Sequence, residues 1–325
     1  MHAVVITQFG GPEVLRWAEV PDPVPEPGEV VIDIAAAGVN RADLMQRQGF
    51  YPPPPGAPPY PGLECSGQIS ALGPGVTGWQ AGDEVCALLG GGGYATKVAV
   101  PAGQLLPVPD GVSLVDAAGL PEAAGTIQGT VYQQAHLSPG EVYLVHGGAG
   151  GMGSYAIQLA KAEGCVVACT AGTPGKLARC RELGADLAIN YRDEDFTQAV
   201  LDFTEGRGAD VILDVVGAPY LARNLAALAT WGRLVVISVQ GGAHAEVDLS
   251  LLMHKRAAIF GATLRARPPA EKATVVAAAR AHAWPLISAG KVRPVIDHVL
   301  PMAEAAQAHR LFDEGSHVGK ILLVS

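Results

Sequence analysis

The chain has 325 residues, 49% of them hydrophobic, with a formal net charge of −9 and 5 cysteines. That length accommodates about two domains, and the acidic balance argues against a nucleic-acid partner, whose phosphates call for a basic surface. No apolar run reaches the ~18 residues of a membrane span, the N-terminal strand pattern lacks the basic stretch of a signal peptide, and the odd cysteines show no repeated spacing, so a reducing, cytoplasmic setting is expected.

In chain order, the first part is rich in glycine, proline and short β-type runs, at 29–34, 66–72 and 84–89. This texture predicts an antiparallel, barrel-like domain. Tyr51-Pro52-Pro53-Pro54-Pro55-Gly56 reads as a stiff extended loop, because each proline fixes φ. From about residue 123 strands and helices alternate. Strands are expected at 142–146, 165–170, 187–190, 211–215 and 234–239, with helices at 152–163, 174–183, 193–205 and 219–229. The class is α/β, a doubly wound parallel sheet of Rossmann type. An apolar stretch at 257–264 reads as its edge strand. The tail gives a helix, a β-type run at 294–300, a helix at 302–313 and a last strand at 319–324, and is expected to rejoin the first lobe. The domains therefore divide as 1–122 with 265–325, and 123–264.

The strand at 142–146 stops at a glycine cluster that opens into a helix. Gly148, Gly150 and Gly153 spell G-x-G-x-x-G, with Ala149, Gly151 and Met152 between them. The first glycine permits a tight turn, the second a close approach to a pyrophosphate, and the third close helix packing. An acid that would bind a ribose 2′-hydroxyl belongs about 20 residues on. Residues 168–173 contain no carboxylate, and Lys176 and Arg179 follow. A lysine suits a 2′-phosphate as a point charge, so NADP(H) is the expected cofactor.

With these segments in view, the chain resembles the zinc-free medium-chain dehydrogenase/reductases, within the quinone oxidoreductase group. The resemblance rests on residues 36–49, the Tyr51 proline loop, Gly62-Leu63-Glu64-Cys65-Ser66-Gly67, Gly82-Asp83-Glu84-Val85, the dinucleotide loop and residues 315–323. The run Asn40 to Gly49 is especially similar to the p53-inducible type. The family implies a GroES-like barrel domain beside the Rossmann domain. Where zinc-dependent relatives carry a Cys and a His, this chain has Asn40 and Leu63. The histidines are dispersed, so no metal is expected. His146 is read as a packing or capping residue.

The resemblance also implies a site. Asn40, Tyr51 and Thr126 are expected beside the nicotinamide as catalytic residues, Asn40 and Thr126 also touching the cofactor. Gly150, Gly151 and Met152 would meet the pyrophosphate. Thr170, Gly172, Thr173, Lys176 and Tyr191 would surround the ribose and its phosphate. Val216, Gly217, Ser238, Val239 and Gln240 end later strands on the ligand side. Phe260, Thr263 and Leu264 would run past the nicotinamide, and Lys320 lies in the terminal G-K motif. The implied activity is reduction of a small-molecule quinone. Reduction of an enone or 2-alkenal double bond is the alternative, and a crystallin-like or RNA-binding role is an alternative of another class. Pairing of the apolar edge strand at 257–264 with its twin predicts a homodimer.

Overall fold

The computed structural model describes residues 1–325 and divides into two compact units, Met1–Gly125 with Leu264–Ser325, and Thr126–Thr263. In chain order the strands are β1 (His2–Ile6), β2 (Leu15–Glu19), β3 (Glu29–Gly38), β4 (Glu64–Leu72), β5 (Glu84–Leu88), β6 (Lys97–Pro101) and β7 (Leu105–Pro107). The second unit contributes β8 (Val142–Val145), β9 (Val166–Ala171), β10 (Leu187–Asn190), β11 (Ala209–Asp214), β12 (Leu228–Val236) and β13 (Ala258–Gly261). The first unit then resumes with β14 (Ile296–Pro301) and β15 (Lys320–Val324).

In the first unit one sheet runs β14-β15-β3-β4-β5-β7, and a β1–β2 hairpin stands apart. β3 organises the sheet. One of its edges pairs with β4, and the other is shared, residues 29–33 with β6 and residues 36–38 with β15. Register breaks against β4 at Val31/Ile32 and Ile34/Ala36 bend the strand. Val30, Ile32, Ile34, Leu44, Ile69, Val85 and Val98 fill the core beneath it. The sheet is not wholly antiparallel. β14 and β15 run parallel, because the helix Ala305–Glu314 between them carries the chain back as a crossover.

The second unit is a six-stranded sheet in the order β10-β9-β8-β11-β12-β13, with every pairing parallel. This is the doubly wound 3-2-1-4-5-6 order. Helices begin where the sequence supplies caps. Thr173, Asp195 and Asp248 each accept a backbone N–H from the first turn of the helix that follows. The helix Leu249–Lys255 has no counterpart among the expected elements.

The expected helix at 219–229 and strand at 234–239 need correction. The helix Leu221–Ala227 ends early, and β12 begins at once and stops at Val236. Against β11 the register jumps from Ala209↔Leu228 to Val211↔Arg233. The residues between bulge outward, with Trp231 at φ 66° and 65% exposed. The irregularity at Thr230-Trp231-Gly232 is a bulge within the strand. The edge strand β13 is also shorter than expected. No helix is long and apolar enough to cross a membrane.

Candidate active site

The glycine loop of the second unit separates two kinds of glycine. A Cβ on Gly153 would stand 2.3 Å from the Gly147 carbonyl oxygen, and one on Gly148 would stand 2.8 Å from Cys169 Cβ. Those two glycines are demanded by protein packing. Around Gly150 the nearest atom to such a Cβ is 3.5 Å away, so the protein itself does not require glycine there. Gly150 is the N-cap of the helix Gly151–Ala162 and offers no side-chain cap. The first-turn amides of Gly151, Met152 and Gly153 therefore lack helical acceptors, at the positive end of the helix dipole. This cradle fits a pyrophosphate.

A buried polar chain lies behind the loop. Thr170, 1% exposed, accepts the Gly147 N–H at 3.3 Å and donates to His146 Nδ1 at 3.1 Å. His146 Nε2–H donates to Asn224 Oδ1 at 2.7 Å, and Asn224 Nδ2 donates to Asp214 Oδ2 at 3.1 Å. Asp214 in turn accepts the N–H groups of Val216 at 2.6 Å and Gly217 at 3.1 Å. Every donor meets an acceptor only if His146 is neutral with its proton on Nε2. Burial pushes its pKa down to about 4, consistent with that form. The Thr170 hydroxyl faces inward and shapes the loop. His146 braces the turn through Thr170.

Most of the remaining expected residues of this unit follow the carboxyl ends of the parallel strands, where such sheets bind ligands. Thr173 accepts the Lys176 N–H at 3.4 Å and starts the helix Pro174–Glu182. The Tyr191 hydroxyl lies over Gly172, 2.6 Å from where a Cβ would be. The loops after β11 and β12 are joined by Gly241 N–H to Val216 O at 2.8 Å, and a Cβ on Gly217 would lie 2.9 Å from Val239 Cα. Ser238 and Gln240 flank Val239 beyond the end of β12, Ala149 is buried, Phe260 is half-buried on β13 and Thr263 is exposed. The Thr126 carbonyl accepts the Thr130 hydroxyl at 2.7 Å, where the helix Pro121–Ile127 passes into a π turn.

In the first unit Asn40 caps the helix Arg41–Arg47, and its N–H donates to Asp43 Oδ2 at 2.8 Å. Its side chain is engaged at both ends. Nδ2 donates to Glu64 Oε1 at 2.9 Å, and Oδ1 accepts from Lys320 Nζ at 2.7 Å. Lys320 also pairs with Glu64 Oε1, and Glu64 Oε2 accepts the Glu122 N–H at 2.8 Å. A fully buried carboxylate needs such a partner. Asn40 and Lys320 thus complete a buried ion pair. Leu264 belongs to this unit and is buried, its side chain 3.0 Å from the place of a Cβ on Gly125.

Around this core stand groups the sequence reading passed over. Asp43 is fully buried and accepts from Asn40, from Gly62 N–H at 2.8 Å and from the Tyr94 hydroxyl at 3.2 Å. Burial pushes its pKa up to about 6. Arg265 donates to the Gly90 carbonyl at 2.7 Å, the Tyr51 carbonyl at 3.1 Å and Gln46 Oε1 at 2.6 Å, and its guanidinium lies 5.3 Å from the Tyr51 ring centre. Burial, and then Glu122, raises the Tyr51 pKa. Glu122 itself is pushed up to about 8, first by burial and then by the Glu64 charge. Charges within apolar surroundings, Glu64 in β4 and Glu122 after Pro121, were the available signal. No group of three or more His, Cys, Asp or Glu is placed to hold a metal ion.

Residues 26–110 match the alcohol dehydrogenase GroES-like domain, and residues 151–280 match the zinc-binding dehydrogenase domain. A quinone oxidoreductase of Rattus norvegicus is 30% identical over 100% of this chain and 98% of its own length. A 2-haloacrylate reductase of a Burkholderia species is 30% identical over 99% of this chain and 98% of its own. The solved Escherichia coli quinone oxidoreductase complexed with NADPH superposes with a TM-score of 0.90 at 28% identity, covering 100% of both chains. With its parallel sheet, its GroES-like unit and relatives matched along their whole length, the chain belongs to the medium-chain dehydrogenase/reductase family, alongside the quinone oxidoreductases.

Proposed function

We propose that this protein is an NADPH-dependent quinone reductase that works without zinc. The observation that carries the reading is Gly150, a glycine that protein packing does not demand, set at an uncapped helix N-terminus. The absence of a carboxylate after β9, with the Thr173-capped helix and Lys176 there, favours NADP(H) over NAD(H). The solved NADPH complex of a relative supports the same choice. In this reading Gly151 and Met152 hold the pyrophosphate, and Gly172, Thr173, Lys176 and Tyr191 hold the phosphorylated ribose. Val216, Gly217 and residues 238–240 border the rest of the nucleotide, while Thr126, Phe260 and Thr263 attend the nicotinamide. The reduced nicotinamide, when bound, supplies a hydride. A quinone accepts it without Lewis-acid help, and Tyr51 or Glu122 supplies a proton.

A second reading is reduction of an enone or 2-alkenal. It is favoured by the proton-bearing groups Tyr51 and Glu122, since hydride at a β-carbon must be matched by a proton at the α-carbon. The relative named 2-haloacrylate reductase supports it. We also propose a homodimer through β13, where Ile259 is partly exposed and Leu249 and Met253 of the neighbouring helix are exposed. Five free, buried cysteines suit a reducing, cytoplasmic setting.

The test is NADPH oxidation with 1,4-benzoquinone, 9,10-phenanthrenequinone and trans-2-hexenal, with and without EDTA, repeated with NADH. Quinone turnover that ignores EDTA and prefers NADPH is expected. Lys176→Ala should lower the NADPH preference about tenfold, equivalent to about 1.4 kcal/mol. Turnover of the enal alone would select the second reading, and loss of activity with EDTA would overturn the zinc-free one.

A further inference from the structure

Lys272 lies in the first turn of the helix Pro269–Ser288 and is 6% exposed. Its ammonium makes no hydrogen bond or ion pair within the protein. Nζ reaches the glycine loop after β5. A Cβ on Gly90 would lie 3.6 Å from it and 3.4 Å from Ala57 Cβ. Arg265, 4% exposed, stands by, its guanidinium held only by the neutral acceptors Gly90 O, Tyr51 O and Gln46 Oε1.

Two largely buried cations here lack a dedicated counter-charge. The acidic groups facing them are Glu122 and Asp43. Asp43 is already engaged by Asn40, Gly62 and Tyr94. Glu122 sits against Glu64 and holds its proton up to about pH 8. Burial lowers the Lys272 pKa, as expected of an ammonium without a close anion. A lysine in the first turn of a helix is also opposed by the helix dipole. An incoming anion would relieve both costs, and in a desolvated setting its attraction is far stronger than in water.

Building on the reductase reading, we propose that the physiological acceptor carries a carboxylate, which docks on Lys272 with Arg265 behind it, the reducible group lying toward Tyr51. The site would thus select acidic enones or quinones over neutral ones.

The test compares kcat/KM for trans-4-oxopent-2-enoate and its methyl ester, and for 1,4-naphthoquinone-2-sulfonate and 1,4-naphthoquinone. The wild type should favour the charged member about tenfold or more, each tenfold being about 1.4 kcal/mol. Lys272→Met should erase that preference and leave the neutral members within about twofold, while Lys272→Arg should keep most of it. The non-reducible 4-oxopentanoate should raise the melting temperature of the NADPH-bound wild type, and its methyl ester should not. Equal losses for both members of a pair would overturn the proposal, as would a raised KM for NADPH in Lys272→Met, which would assign the anion to the cofactor. Turnover of neutral quinones without acid preference overturns the carboxylate site and keeps the reductase. Protection by 4-oxopentanoate with no reduction of any acceptor keeps the anion site and overturns the reductase.

Discussion

His146 donates its Nε2–H to the Asn224 side-chain oxygen at 2.7 Å, both residues being buried. Through Thr170 on one side and Asp214 on the other, this bond couples the turn that follows β8 to the turn that follows β11. Asn224→Ala leaves a buried histidine N–H and a buried carboxylate each short of a partner. It should cost roughly 2–4 kcal/mol in urea unfolding and raise KM for NADPH. An unchanged midpoint and KM would remove the bracing role.

The same histidine makes a pH prediction. Its folded pKa, about 4, lies below the ordinary 6.5, so the unfolded chain takes up this proton first. The stability it contributes is complete above about pH 6.5 and is lost as pH falls toward 4, at up to about 1.4 kcal/mol per pH unit. The wild-type minus His146→Gln difference in unfolding free energy should slope in that window and flatten above it. A flat difference throughout would mean the ring titrates normally.

Gly150 and Gly153 should respond oppositely to alanine. Gly153→Ala forces a Cβ to 2.3 Å from the Gly147 oxygen, so it should destabilise the protein by about 1–3 kcal/mol through overpacking. Gly150→Ala meets nothing closer than 3.5 Å. Its melting temperature should stay near that of the wild type while NADPH affinity falls about tenfold or more. If Gly150→Ala binds NADPH normally, the anion cradle lies elsewhere.

Glu122 holds its proton up to about pH 8. As the proton source it predicts a kcat/KM that is level below that value and declines as pH rises through it, because deprotonation removes the acid. The groups facing it are Glu64, Lys320, Asp43, Arg265, Tyr51 and Lys272. Glu122→Gln should lower the rate for trans-2-hexenal more than for quinones and abolish the decline. A pH profile unchanged by the substitution would assign the proton to another group.

Lys320→Met leaves Glu64 buried beside Asn40 without its cation. Breaking one partner of such a pair should cost about 3–5 kcal/mol. The double variant Lys320→Met with Glu64→Gln should recover much of that loss in thermal unfolding. If the double variant is as unstable as the single one, the ammonium is not what Glu64 requires.

The sequence by itself determined the alternation of strand and helix in the second unit, the glycine loop and the missing carboxylate after β9. These are local properties. A period-two apolar run, a Thr-Pro helix start or a G-x-G-x-x-G turn is written in neighbouring residues. Only the tertiary structure decided the partners of the polar side chains. Asn40, Glu64 and Lys320 are far apart in the chain, and nothing near any of them says that they meet in one buried cluster. The same holds for His146, Asn224 and Asp214. It also decided the bulge at Trp231 and the parallel β14–β15 pair, which depend on which strand lies alongside. Where a buried charge finds its counter-charge depends on long-range packing, and short-range sequence patterns do not encode it.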